Sequence, residues 1–144
     1  MSLDTVIRGG LVVTAEGRMR CDLGLRDGRI AAMGGDLGPA GEVIDASGLM
    51  VMPGGVDPHC HIEQMSGMGL MNADTFESAT RSAAMGGTTS VISFAAQAKG
   101  QRLRDAARDY AARGARGAAI DYAFHLILAD PDAPGFADDL AHLI

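Results

Sequence analysis

The sequence predicts an α/β protein: the N-terminal part of a metal-dependent (β/α)8 TIM barrel, incomplete in this chain and preceded by a small β-sandwich unit. Three observations predict it. Short apolar runs broken by tight turns fill the first 52 residues. From Pro53 onward, strands alternate with amphipathic helices, and the strands start near 56, 88 and 119. That repeat of roughly 32 residues suits the βα unit of a barrel whose typical length is about 250 residues. The third observation is the run Pro53-Gly54-Gly55-Val56-Asp57-Pro58-His59-Cys60-His61-Ile62-Glu63, which sets two histidines two residues apart on the first of those strands. The expected boundaries are 1–52 for the β unit and 53–144 for the first three βα units. An open doubly wound sheet is the alternative. Against it, no G-x-G-x-x-G follows the first strand, and a ligand pair sits on the strand itself.

Within the β unit, Asp4 to Thr14 is rich in Val, Ile and Leu and is interrupted by Gly9-Gly10. It reads as two short strands or one bulged strand. Cys21 to Leu25 and Arg29 to Met33 flank Asp27-Gly28, a strong hairpin signal. Gly34 to Gly41 reads as loop, and Glu42 to Ala46 and Leu49 to Met52 as further short strands. The expected sheet is small and mostly antiparallel, with strands too short to bury a core by themselves.

After Pro53 the first strand is expected over Val56 to Ile62, followed by a Gly- and Met-rich loop, Gln64 to Asn72. Asp74 or Thr75 caps a helix that carries Glu77 in its first turn and stops at Gly86-Gly87. Thr88 to Ala95 is a nearly continuous apolar strand, as when both faces are covered. Gln101 to Arg113 spaces Leu103, Ala106, Ala107, Tyr110 and Ala111 at helical intervals. Ala118 to Ala129 is the third strand. A turn over Pro131 to Pro134 leads into a third helix over Phe136 to Ile144, capped by Asp130 or Asp132. About three of eight barrel units are thus accounted for.

A net charge of -6 offers no basic stripe to neutralise phosphates, which argues against a nucleic-acid partner. No apolar run approaches the roughly 20 residues that span a bilayer. Residues 1–10 lack the apolar stretch of a signal peptide. Cys21 and Cys60 have no framework spacing and read as reduced thiols. The expectation is a soluble cytoplasmic protein with neither nucleic-acid nor membrane partners.

Side chains at i and i+2 of a strand share a face, so His59 and His61 aim at one point while Cys60 faces away. The end of a barrel strand is where active sites of this fold assemble. Two nitrogens there are candidate metal ligands. Asp57, on the same face, is a possible third ligand; the preferred reading is a group that orients the turn or a neighbouring ligand. His125 lies inside the third strand and reads as a hydrogen-bonded interior residue ahead of a ligand, and His142 as solvent-facing. A catalytic zinc needs three protein ligands and a water, so the constellation is incomplete, and no catalytic acid or base is assigned within the chain. The loop carrying Met65, Met68, Leu70 and Met71 overhangs the expected pocket or folds back on its rim. Flexible Met side chains would suit varied apolar groups. Lys99, the only lysine, reads as a solvated loop residue.

The run from Val51 to His61, with Asp74-Thr75-Phe76, Gly86-Gly87-Thr88-Thr89, Phe94 and Asp121-Tyr122-Ala123-Phe124-His125, resembles the amidohydrolase superfamily. More narrowly it is similar to the hydantoinase/dihydropyrimidinase family, over essentially this whole chain and about the first third of a family member. The resemblance implies ring opening of a small cyclic amide or ureide at a binuclear centre of zinc, with manganese possible. His59 and His61 would hold the more buried metal. A carbamylated lysine bridging the two metals, two further histidines and a proton-shuttling aspartate would lie beyond Ile144, so Lys99 does not inherit the bridging role. The resemblance also implies a homo-oligomer, usually a tetramer, and a loop from Gln64 to Met71 that gates the ring substituent. The residue after Ile62 is typically Arg in dihydroorotases and often Asn in allantoinases. Glu63 is closer to the Asp of hydantoinases, and its charge at that place would repel a carboxylate substrate. Allantoinase and dihydroorotase remain alternative activities. A non-catalytic, truncated or scaffold-type relative is the alternative from another class, and the isolated 144-residue chain is expected to be inactive and prone to aggregate.

Overall fold

Asp27 and Gly28 both adopt positive φ (52° and 68°), the signature of a two-residue hairpin turn whose twist matches its strands. That turn joins β2 (Gly17–Arg26) to β3 (Arg29–Gly34), and β2 pairs antiparallel with β1 (Leu3–Thr14). The computed structural model describes residues 2–144, and the chain divides between Pro53 and Gly54 into two compact units. In the first, the Gly9-Gly10 interruption gives one strand with a register shift between Ile7 and Gly10, not two strands.

The sheet is mixed, which corrects the mostly antiparallel expectation. β4 (Ala40–Asp45) and β5 (Met50–Val51) both run parallel to β1, in the order β3-β2-β1-β4 with β5 also on β1. The segment between β3 and β4 crosses over β2 at Gly24. A Cβ there would fall 2.7 Å from a Leu3 methyl and 3.1 Å from a Leu37 methyl. The crossover is made possible by a missing side chain, which pattern reading does not register. Val6, Val12 and Leu23 are the buried apolar residues of this sheet, and the described residues of the unit form this one sheet.

In the second unit three parallel strands lie in the order β6-β7-β8. They are β6 (Gly55–Asp57), β7 (Thr88–Ala96) and β8 (Asp121–Ile127), alternating with α1 (Phe76–Met85), α2 (Leu103–Gly117) and α3 (Phe136–Leu143). The first strand is shorter than Val56 to Ile62. Pro58 has no N–H to give to a ladder, and the His59 N–H is taken by the Asp57 carboxylate at 3.1 Å. The segment nevertheless stays alongside β7, with the Cys60 N–H on the Ile92 carbonyl and the Ile62 N–H on Ser93 Oγ, each at 3.2 Å.

Thr75 caps α1 through a reciprocal pair with Ser78, close to the expected start. α2 runs on to Gly117, and the third strand is trimmed at both ends. The expected Asp cap of α3 is absent. Gly135, at φ 70°, precedes α3 with no side-chain cap, while the Asp130 carboxylate accepts the Gly100 N–H. α1 and α2 cover one face of β7. Phe76, Tyr110, Val91, Ala95 and Ile62 form the core there, with Phe124 edge-on to Phe76 and Tyr110. Thr80 ties α1 to the approach to β8, accepting the Ala119 N–H at 2.9 Å. Among the described residues no helix is long and apolar enough to cross a membrane.

Candidate functional site

The alternation expected past β6 is present in the burial pattern. Ile62 is buried and Cys60 partly buried in the helix-covered core, whereas His59 and His61 are exposed on the opposite side of the strands. Burial, followed by the nearby Asp57 charge, pushes the Cys60 thiol pKa up. The two imidazoles lie 5.5 Å apart between ring centroids, edge to face. Phe94 of β7 packs against both, at 4.6 Å from His59 and 4.8 Å from His61, and against His125 of β8 at 4.9 Å. Three histidines thus surround one phenyl ring on a single face of the sheet.

Their partners separate them. His125 Nε2 sits 3.1 Å from the Pro58 carbonyl, which can only accept, so that nitrogen donates and is not free to ligate. His61 Nδ1 sits 2.6 Å from Gln64 Oε1. Asp57 acts on the backbone of His59. His142 is exposed on α3, and Lys99 is exposed in the loop after β7.

A metal fits this donor set in part. Two imidazoles on one face supply half of a tetrahedral set, and among the described residues no group of three or more His, Cys, Asp or Glu completes it.

Beside His61 an open cleft of about 680 Å³ is lined by Gln64, Met65, Asn72, Ala96, Gln97 and Ile127, among others. The loop over it is a small self-bonded hairpin. Met65 and Met71 pair across it, the Ser66 N–H bonds the Leu70 carbonyl at 2.7 Å, and Asn72 closes the base on Gln64. Of the four apolar loop residues expected at the pocket, Met65 lines the cleft. Met68, Leu70 and Met71 are exposed and do not line it.

Gln97 is buried and fully bonded. Its amide donates to the Gln101 and Asp130 carbonyls and accepts the Ala129 and Asp130 N–H groups, pinning the loops after β7 and β8 together. Neither glutamine carried a chemical signal in the sequence, because an amide announces itself only through its neighbours.

Glu63 is where expectation and geometry part. The resemblance implied a charge set against a substrate carboxylate, yet the Glu63 φ is +47°, and the chain turns it outward. Its carboxylate accepts the Phe76 N–H at the start of α1 at 3.1 Å and pairs with Arg116 of α2 at 2.9 Å. The charge therefore serves a helix N-terminus, where an anion is favoured. It does not face the cleft, where Gln64 stands, and it cannot repel a substrate carboxylate there.

The family model described as "Amidohydrolase family" matches residues 42–137. The D-hydantoinase of Rhizobium radiobacter is 46% identical over 129 residues, which is 90% of this chain and 28% of that protein. An allantoinase of Bacillus licheniformis is 40% identical over 92 residues, 64% of this chain and 20% of its own length. The crystal structure of dihydropyrimidinase from Brevibacillus agri NCHU1002 superposes with a TM-score of 0.87 at 37% identity, over 94% of this chain and 29% of the other. The chain therefore spans under a third of the length of the relatives it matches. It belongs to the amidohydrolase family, within its hydantoinase/dihydropyrimidinase group.

Proposed function

We propose that this chain forms part of a metal-dependent hydrolase that opens the ring of a hydantoin or dihydropyrimidine. The observation that carries the reading is the histidine pair: two imidazoles on one exposed face, packed on Phe94 and bordering an open cleft. Cyclic-amide hydrolysis is supported at the level of the family by the hydantoinases and the allantoinase, and the family implies a metal cofactor. His59 and His61 are the residues proposed to hold it, zinc or manganese, as part of a binuclear centre. Such a metal, when bound, lowers the pKa of a coordinated water and polarises a carbonyl oxygen.

The chain's own residues set the stage. Phe94 packs against both rings, and Asp57 fixes the backbone turn that delivers His59. Met65 offers an apolar wall and Gln97 a rigid floor to a ring entering the cleft. In this reading residues 53–144 are the first βα units of a (β/α)8 barrel and residues 1–52 belong to a small β-sandwich. The remaining ligands lie in a part of the site outside these residues. A homo-oligomer in the cytoplasm completes the proposal.

Metal analysis tests it. After dialysis the wild-type chain should take up zinc, and His59→Ala should bind it at least tenfold more weakly. A ring-opening activity indifferent to chelators would overturn the mechanism.

A further inference from the structure

Gln64 lies between the histidine pair and β7, and its contacts leave its side chain one arrangement. Its backbone is fixed first. The Gln64 N–H donates to Asn72 Oδ1 at 2.8 Å, and its carbonyl accepts the Asn72 N–H at 3.0 Å. The side-chain amide then meets the Phe94 carbonyl at 3.0 Å. A carbonyl can only accept, so the amide nitrogen must face it. The flipped amide would set oxygen against oxygen and is excluded on that ground.

The amide oxygen is thereby turned to His61 Nδ1 at 2.6 Å. An amide oxygen cannot donate, so Nδ1 carries the hydrogen. A neutral imidazole with hydrogen on Nδ1 keeps its lone pair on Nε2.

We propose that Gln64 is a positioning residue that holds His61 in the Nδ1–H tautomer and presents the Nε2 lone pair to a divalent cation. The tautomer stands on the contacts above. The presentation of Nε2 to a cation rests on the reading of His61 as a metal ligand. Partners of this kind, a group accepting the second ring N–H of a ligating histidine, fix ring orientation and raise ligand basicity. Carboxylates and backbone carbonyls usually do this work. Here a neutral amide does it, anchored at its far end to the β7 strand that also carries Phe94, so ring orientation is tied to the sheet.

The test uses the 144-residue chain with Gln64→Leu and Gln64→Glu. Leucine keeps the bulk and removes both polar contacts; glutamate keeps an acceptor for Nδ1. Long-range proton–nitrogen correlation spectra of the metal-free proteins report the tautomer directly. They are recorded at alkaline pH, and His61 is assigned by its loss in His61→Ala. The Nδ1–H pattern is expected in wild type and in Gln64→Glu, and is expected to vanish in Gln64→Leu. An Nε2–H pattern in wild type, or an unchanged Nδ1–H pattern in Gln64→Leu, overturns the assignment.

Zinc titration of wild type and Gln64→Leu should show affinity falling about 10- to 100-fold in the variant. Equal affinities would overturn the role in presenting Nε2. Zinc binding unaffected by His59→Ala and His61→Ala, with the wild-type tautomer pattern intact, would overturn the ligand reading and the presentation of Nε2 that rests on it. It would leave the tautomer assignment supported.

Discussion

The phenol of Tyr110 sits in the core with two partners. Its hydroxyl bonds the Ile62 carbonyl and lies 2.6 Å from Ser93 Oγ, which in turn accepts the Ile62 N–H. Burial pushes the Tyr110 pKa up, so the group stays a neutral donor. Both backbone groups of Ile62, one residue from His61, are thus held by side chains of β7 and α2. Tyr110→Phe keeps the ring and strands the Ile62 carbonyl, a loss of about 1–3 kcal/mol. Denaturant unfolding should show a lower midpoint with an unchanged slope. A midpoint equal to wild type would mean that water replaces the phenol.

At this scale the shared face of His59 and His61 was readable because alternation is geometry, indifferent to sequence detail. The role the resemblance implied for Glu63 did not carry over, because its φ of +47° turns the carboxylate to the start of α1. Nothing in the residue types announces that angle, since Glu rarely adopts that conformation.

Between elements, α3 is fastened to the start of α2 by one buried carboxylate. Asp139 is fully buried and accepts Arg102 Nη2 at 2.6 Å, Arg102 Nε at 3.2 Å and the Arg104 N–H at 3.2 Å. The Arg102 guanidinium is the main reason its pKa lies below the usual carboxylate range. A lowered folded-state pKa gives stability that is complete above the unfolded value of about 3.9 and is lost as pH falls through the folded value. Acid below about pH 4 should therefore release α3 before the β7 core is lost. Hydrogen exchange should show α3 amides deprotected first, and Asp139→Asn should remove that step and weaken α3 at neutral pH. Deprotection of α3 and β7 at one common pH would contradict it.

The helix cores and a cap for α1 at Asp74 or Thr75 were legible because helical spacing and capping chemistry are local; the Ser78 contacts settle it on Thr75. The anchor of α3 was not legible. An aspartate preceded by Asp138 and followed by Leu140 and Ala141 looks solvated until a distant arginine pair meets it.

For the molecule as a whole, the α/β class was legible in the change of pattern at Pro53 and in strands that begin at Gly55, Thr88 and Asp121. The parallel pairing of β4 and β5 was not, because it depends on a crossover that Gly24 permits. The order β6-β7-β8 makes β6 and β8 the edges of the second sheet among the described residues. On its uncovered face stand Val56 at 61% exposure and Ile127 at 38%. An open parallel edge beside apolar side chains is a template for pairing with another chain. The 144-residue polypeptide should therefore associate with concentration when followed by sedimentation velocity. Ala123→Lys, which sets a charge on the exposed face of β8, should reduce that association without lowering the melting temperature by more than a few degrees. A monodisperse monomer that melts cooperatively across the concentration range would show that the sheet protects its own edge.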